Sequence, residues 1–252
     1  MKKKALILFS LLALNTFGQD KSSDTITGVI EKNIKFKYEA LIIPTTLIAY
    51  GVIGLESNTL KDINSDTKKE INEHIDKKFT IDDFSQYSTF LSVYVLNAAG
   101  VKGKNNFKDR TVILGTAYLI MGTTVNVIKR TGNEMRPDGT SNNSFPSGHT
   151  ATAFMGAEFL YQEYKDVSIW YGVTGYLVAA GTGFFRMYND RHWFSDIAAG
   201  AGIGILSTKI AYWIHPYLQN KVFRSSRENK TTSIIMPFYN GKEIGCSFLR
   251  QF

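Results

Sequence analysis

The stretch NSFPSGHTATAF, residues 143–154, decides how this chain is read. Pro146, Ser147, Gly148 and His149 stand at the mouth of a segment that reads as a helix opening near Gly148. The first N–H groups of a helix lack intrahelical partners and carry the positive end of its dipole, so this end is a ready anion site. Ser147 adds a hydroxyl, and Gly148 permits close backbone approach. His149 is one of only four histidines in the chain.

Outward from this stretch, two further clusters sit at the ends of apolar segments. Upstream, KRTGNEMRP gives Lys129 and then Arg136-Pro137; downstream, FFRMYNDRHWFSD gives Arg186, His192 and Asp196. An antiparallel bundle brings alternate helix ends to one side. If the segment before Lys129 runs one way, the helix from Thr150 returns and the segment ending at Phe185 runs the first way again, all three clusters meet. Lys129, Arg136 and Arg186 then face one spot, and burying such a cluster unpaired costs several kcal/mol per ion. An anion is therefore the expected partner. Phosphate, which accepts forked hydrogen bonds from arginine and a point charge from lysine, fits better than one carboxylate.

Asp196 lies four positions after His192, within reach on a helix or its first turn. It would fix the imidazole tautomer and leave the other ring nitrogen to attack phosphorus. His149, on the opposite motif, would protonate the departing oxygen.

The whole chain has 252 residues, 44% of them hydrophobic, enough for one large domain with a sizeable core. A single cysteine, Cys246, excludes an intrachain disulfide framework and a cysteine-based metal cluster. Lys2, Lys3 and Lys4 precede ALILFSLLAL and a small-residue exit, the layout of a secretory signal peptide ending near Gly18. A retained anchor is the competing reading, but the run is shorter than the roughly 20 residues that span a bilayer. The formal charge is +7, and removal of the three leading lysines leaves about +4. This modest excess suits an anionic substrate or a phospholipid surface, or is a plain solvated surface; export argues against a nucleic-acid partner.

The expected organisation is a signal at 1–18, a linker at 19–38, one all-α core at 39–220 and a tail at 221–252. Apolar segments run from Ala40 to Leu55, Phe84 to Val101, Thr111 to Ile128, Val167 to Phe185 and Ile197 to Thr208. The helix from Thr150 carries Glu158 and Glu163 and so is not expected to be apolar all round. Together these predict a bundle of about six core helices. The uncharged segments are short for spans, and the mean hydropathy is −0.12. A bundle in water and a membrane-embedded bundle of short helices both remain open. Leu60 to Phe79 reads as an amphipathic helix with a basic face, packed on the bundle or lying on an anionic membrane. In the tail, Asn240-Gly241 between two apolar runs signals a short β-hairpin.

The K-x6-R-P (Lys129 to Pro137), P-S-G-H (Pro146 to His149) and R-x5-H-x3-D (Arg186 to Asp196) patterns resemble the three signature motifs of the type 2 phosphatidic acid phosphatase superfamily. That superfamily also contains bacterial class A acid phosphatases and vanadium haloperoxidases. The resemblance covers roughly residues 38–218 and extends most closely to bacterial envelope lipid phosphatases. It implies an all-helical core and a cofactor-free, metal-independent phosphatase working through a phosphohistidine. It further implies His192 as nucleophile, Asp196 as its orienting partner and His149 as general acid, with Lys129, Arg136, Ser147, Gly148 and Arg186 binding phosphate. Where the family often has serine before the third-motif arginine, this chain has Phe185.

Each residue alone has a plainer reading. Lys129 and Arg136 could complement a helix dipole or anchor at a membrane interface, His149 could be a loop histidine, and Asp196 could merely cap a helix. Asp190 and Arg191 read as surface charges, and His74 and His215 as structural or exposed. Four functions compete: a lipid phosphatase of the envelope, a soluble exported acid phosphatase, a vanadate-dependent haloperoxidase and a silent anion-binding module. The intact histidines and Asp196 weigh against the last, and the short 137–146 loop against the larger haloperoxidases. Lipid A phosphate is the leading substrate expectation, then polyprenyl diphosphate or phosphatidylglycerol phosphate, with membrane association and no obligate protein partner. The four basic residues of KGKNNFKDR would be cytoplasmic by the positive-inside rule, placing the motifs on the periplasmic face. Six spans then need a cytoplasmic N-terminus, which a cleaved signal contradicts.

Overall fold

The computed structural model describes residues 38–73 and 80–219, and the backbone of 232–239 and 244–251. The signal and linker, His74, the end of the Leu60–Phe79 stretch and the Asn240-Gly241 turn lie outside the described residues.

Seven helices are present among the described residues: α1 (Glu39–Ile53), α2 (Asn58–Asn72), α3 (Ile81–Ala98), α4 (Phe107–Thr131), α5 (Gly148–Tyr164), α6 (Ile169–Tyr188) and α7 (Phe194–Leu218). Local chemistry sets where several begin. Ser57, Asn106, Ser147 and Ser168 cap α2, α4, α5 and α6 by accepting from backbone N–H groups of the first turn, satisfying donors that a helix start leaves orphaned. In the tail, strands β1 (Thr232–Tyr239) and β2 (Ile244–Gln251) pair antiparallel, with Tyr239 opposite Ile244.

Helix α5 is the axis, packed against α3, α4, α6 and α7. Its Ala151, Met155, Phe159 and Tyr164 join Val93, Ile113, Ala117, Met121, Val125 and Ile203 in the main core. As expected, α5 is not apolar all round, yet it is enclosed on every side, and Glu158 and Glu163 are both 1% exposed. Each carboxylate is buried because each is multiply partnered. Glu158 receives Lys209 Nζ at 2.8 Å, Gln162 Nε2 at 2.6 Å and the Tyr176 hydroxyl. Glu163 receives Arg110 Nε at 3.4 Å, the Tyr212 hydroxyl at 2.6 Å and both nitrogens of Asn105. Arg110, counted above as a loop charge, is therefore interior.

The contact between α5 and α7 is unusually close. A Cβ added at Gly200 would lie 2.5 Å from the Ser147 carbonyl oxygen, and one at Gly204 2.2 Å from that of Ala151. Only glycine lets these backbones approach so far. Late α1 packs on early α7, with Gly51 against Ala199 and Gly202 against Pro44 and Ile48, so α1 runs antiparallel to α7 and ends where α7 begins. Helix α2 leaves α1 at 93° and touches α6 and α7 at that same end. Of the two placements open to it, the described part packs on the bundle.

Helices α4 and α7, 25 residues each, are long and apolar enough to cross a bilayer. They exceed the uncharged segments because charged residues such as Lys108, Arg110 and Lys129 continue the helices at their ends, where long side chains can reach polar surroundings. Apolar residues also line outward faces, with Phe84, Leu91 and Val95 exposed on α3 and Trp170 and Leu177 on α6. These features together indicate membrane association.

Gly204→Val should destabilise the protein by about 3 kcal/mol or prevent folding, because no side-chain rotation clears the facing backbone. Gly115→Ala, where an added Cβ meets nothing within 4 Å, should be neutral or stabilising by up to about 1 kcal/mol. Unfolding in detergent, followed by circular dichroism, distinguishes the two.

Candidate active site

Helices α4 and α6 end, and α3, α5 and α7 begin, at one end of the bundle. Lys129, in the last turn of α4, donates through Nζ to the carbonyls of Asn143 and Ser144. Arg136 Nε donates to Asn143 Oδ1 at 3.1 Å. Both cations thus rest on neutral acceptors. Burial and the neighbouring Arg186 and Arg191 guanidinium groups hold the Arg136 pKa below its usual value.

Ser147 is fully buried as the cap of α5, and its hydroxyl is engaged with Thr150 Oγ1 at 2.8 Å. Its N–H donates to the Asp196 carbonyl at 3.0 Å. At Gly148 an added Cβ would meet only Val125 Cγ1, at 3.8 Å, an ordinary contact.

His192 is 3% exposed, and burial lowers its pKa to about 4. Its Nδ1 lies 3.5 Å from Asp196 Oδ2 and 3.4 Å from Ser144 Oγ. That same Oδ2 accepts the Trp193 N–H at 2.9 Å and the Ser144 hydroxyl. Asp196 therefore combines the plain and the chemical readings: one oxygen caps α7 and faces His192, while Oδ1 is buried without a partner among the described residues. Ser144, which the motif reading passed over, stands between the carboxylate and the imidazole. Its position two residues before Pro146 was the available signal, but its partner is 52 positions away.

The expectation that all three cations lack an internal counter-charge is corrected by Asp82. This buried carboxylate takes Arg186 Nη1 through Oδ2 and Asn189 Nδ2 through Oδ1 at 2.9 Å. Arg186 Nε remains buried and without a partner among the described residues. Asp83, next in α3, places Oδ1 2.9 Å from His149 Nε2 and 3.8 Å from Arg186 Nη1. Burial and Arg186 lower the His149 pKa, and Asp83 opposes them. The two aspartates precede Phe84, where the apolar segment was taken to start, and so read only as its polar edge. Phe185 packs on Phe184 and Tyr188.

The loops carrying the site are tied together. Arg191 pairs with Asp138 at 3.1 Å, the Asp138 N–H donates to the Asp190 carbonyl, and Trp193 Nε1 donates to the Met135 carbonyl at 2.8 Å. Arg191 is therefore a cross-tie and not merely a surface charge. From α2, Asn64 exchanges two hydrogen bonds with Ser195, and Lys68 donates to the Pro137 carbonyl at 2.7 Å.

A protein-family comparison matches residues 110–220, the segment holding all three motifs, to the family described as "PAP2 superfamily". Over 137 residues the chain is 43% identical to a lipid A 1-phosphatase of Porphyromonas gingivalis, covering 53% of this chain and 30% of that protein. The chain thus spans less than a third of that relative's length. Among solved structures, Aquifex aeolicus LpxE is similar with a TM-score of 0.46 and 24% identity over 60% of this chain and 94% of that one. A PAP2-type phosphatidylglycerolphosphate phosphatase from Bacillus subtilis gives 0.45 and 16%, over 71% of this chain and 98% of that one. Asp82 and Asp83 lie outside the matched PAP2 segment.

The His192 shift has a thermodynamic consequence. A histidine that takes a proton at about 4 when folded and near 6.5 when unfolded leaves stability intact above pH 6.5, and stability then falls as the pH drops towards 4. Wild type should lose a few kcal/mol across that window relative to His192→Gln, as measured by chemical unfolding at a series of pH values. Parallel curves for the two proteins would show that His192 is not buried neutral.

Proposed function

We propose that this protein is a metal-independent phosphomonoesterase of the cell envelope that hydrolyses a lipid phosphate. The observation that carries the reading is the gathering of His192, Asp196 and His149 with Lys129, Arg136 and Arg186 at one bundle end, within the segment that matches the PAP2 superfamily. Lipid A phosphate is the leading substrate, supported by the 43% identity to a lipid A 1-phosphatase; phosphatidylglycerol phosphate and polyprenyl diphosphate follow.

In this reading Lys129, Arg136, the free edge of Arg186 and the N-terminal end of α5, with Ser147 and Gly148, bind the phosphoryl oxygens. His192, neutral at pH 7, attacks phosphorus through Nε2 while Asp196 supports the positive charge that develops on the ring. As the P–N bond forms and the P–O bond breaks, His149 delivers a proton to the departing oxygen. Water then attacks the phosphohistidine, with His149 accepting its proton, and inorganic phosphate leaves. The site faces the periplasm of an exported or membrane-anchored chain, α2 straps a six-helix core, and the tail strands close as a hairpin.

The purified protein should release phosphate from a lipid A 1-phosphate in mixed micelles with a chelator present, and vanadate should inhibit as a mimic of the transferring phosphoryl group. His192→Ala should lower kcat at least about a thousandfold. His149→Ala should lower turnover of an alkyl phosphate about 10²- to 10⁴-fold and of nitrophenyl phosphate far less, since nitrophenol leaves without protonation. Activity abolished by chelator and restored by magnesium or zinc would overturn the mechanism.

A further inference from the structure

Asp83 is not needed to hold the fold or the phosphate. Its side chain is 52% exposed, on the first turn of α3, and hydrogen bonds to the site through Oδ1 alone. Behind it Asp82, fully buried, supplies the counter-charge that Arg186 requires. The second carboxylate is therefore surplus to the neutralisation of Arg186, yet it lies 2.9 Å from His149 Nε2 and 3.8 Å from Arg186 Nη1.

That placement has a consequence for the departing group. Resting on the reading of His149 as the acid, the oxygen that leaves must come within hydrogen-bond reach of the imidazole. Whatever is attached to that oxygen then sits a few ångströms from the Asp83 carboxylate. An alcohol, sugar or glycerol leaving group brings hydroxyls that can donate to this carboxylate. A phosphate leaving group brings a second anion within a few ångströms of it, and like charges so placed repel even beside solvent.

We propose that Asp83 is a specificity-determining residue that disfavours phosphate donors whose departing oxygen belongs to a second phosphate. The site consequently takes phosphate monoesters of alcohols in preference to diphosphates. Among the candidate lipids, this excludes polyprenyl diphosphate as the principal substrate and retains the monoesters.

The test uses a matched pair, farnesyl monophosphate and farnesyl diphosphate in detergent micelles, with nitrophenyl phosphate as a control whose leaving group needs little protonation. The pair shares one lipid tail and differs in whether farnesol or farnesyl phosphate departs. Wild type should favour the monophosphate in kcat/KM. Asp83→Asn should raise kcat/KM for the diphosphate about tenfold, without raising that for the monophosphate, and change nitrophenyl phosphate by no more than about twofold. Loss of His149 orientation alone would lower the monophosphate value and leave the diphosphate value unraised, so the absolute gain on the diphosphate is the deciding readout. Asp83→Ser, equally free of charge, should behave in the same way, and an unchanged circular dichroism melt checks the fold of both variants. A diphosphate value that fails to rise in both folded variants, or a wild type that already prefers the diphosphate, overturns the proposal. Absence of phosphate release by wild type from all three substrates would instead overturn the phosphatase reading on which it rests.

Discussion

The backbone-to-backbone seam between the N-terminal ends of α5 and α7 is the constraint from which the site follows. Gly200 and Gly204 leave no side chain between the helices, so the Ser147 and Ala151 carbonyls lie almost on the α7 backbone. The Ser147 N–H can then reach the Asp196 carbonyl, and the Ser144 hydroxyl the Asp196 carboxylate. Two loops remote in sequence become one surface, with His149 on one lip and His192 on the other. Were the helices at an ordinary separation of 8–10 Å, neither link could form.

The far end of the bundle solves a different problem. Glu158 and Glu163 would be prohibitive in an apolar interior, but Lys209, Arg110 and the neutral donors of Gln162, Tyr176, Tyr212 and Asn105 neutralise and saturate them. Such networks contribute little net stability and a great deal of registry, because a shifted helix would strand a buried charge. Registry at that end fixes which residues of α5 and α7 meet at the other, about three to four turns away, where a displacement of one residue would separate Ser147 from Asp196.

The bundle and the three motifs were legible in the sequence because they depend on local pattern: apolar segments bounded by charge, and spacings within one loop or one turn. What escaped depends on partners chosen by the fold. The burial of Glu158 and Arg110 could not be read locally because Lys209 and Glu163, which permit it, lie 51 and 53 positions away. Asp82 and Asp83 read as the polar margin of α3, and nothing local marks them as neighbours of Arg186 and His149. Ser147 was legible as a site residue, but the competition for its hydroxyl by the helix it caps emerges only from the geometry of that cap.

The right-angled departure of α2 from α1 sets a depth gauge. With α4 and α7 along a bilayer normal and α1 alongside α7, a helix leaving α1 at 93° lies flat, parallel to the sheet of lipid headgroups. Asn64 holds this helix to the start of α7 and Lys68 holds it to the loop at Pro137. The helix thereby sets a fixed offset between that plane and the loops that carry His149 and His192.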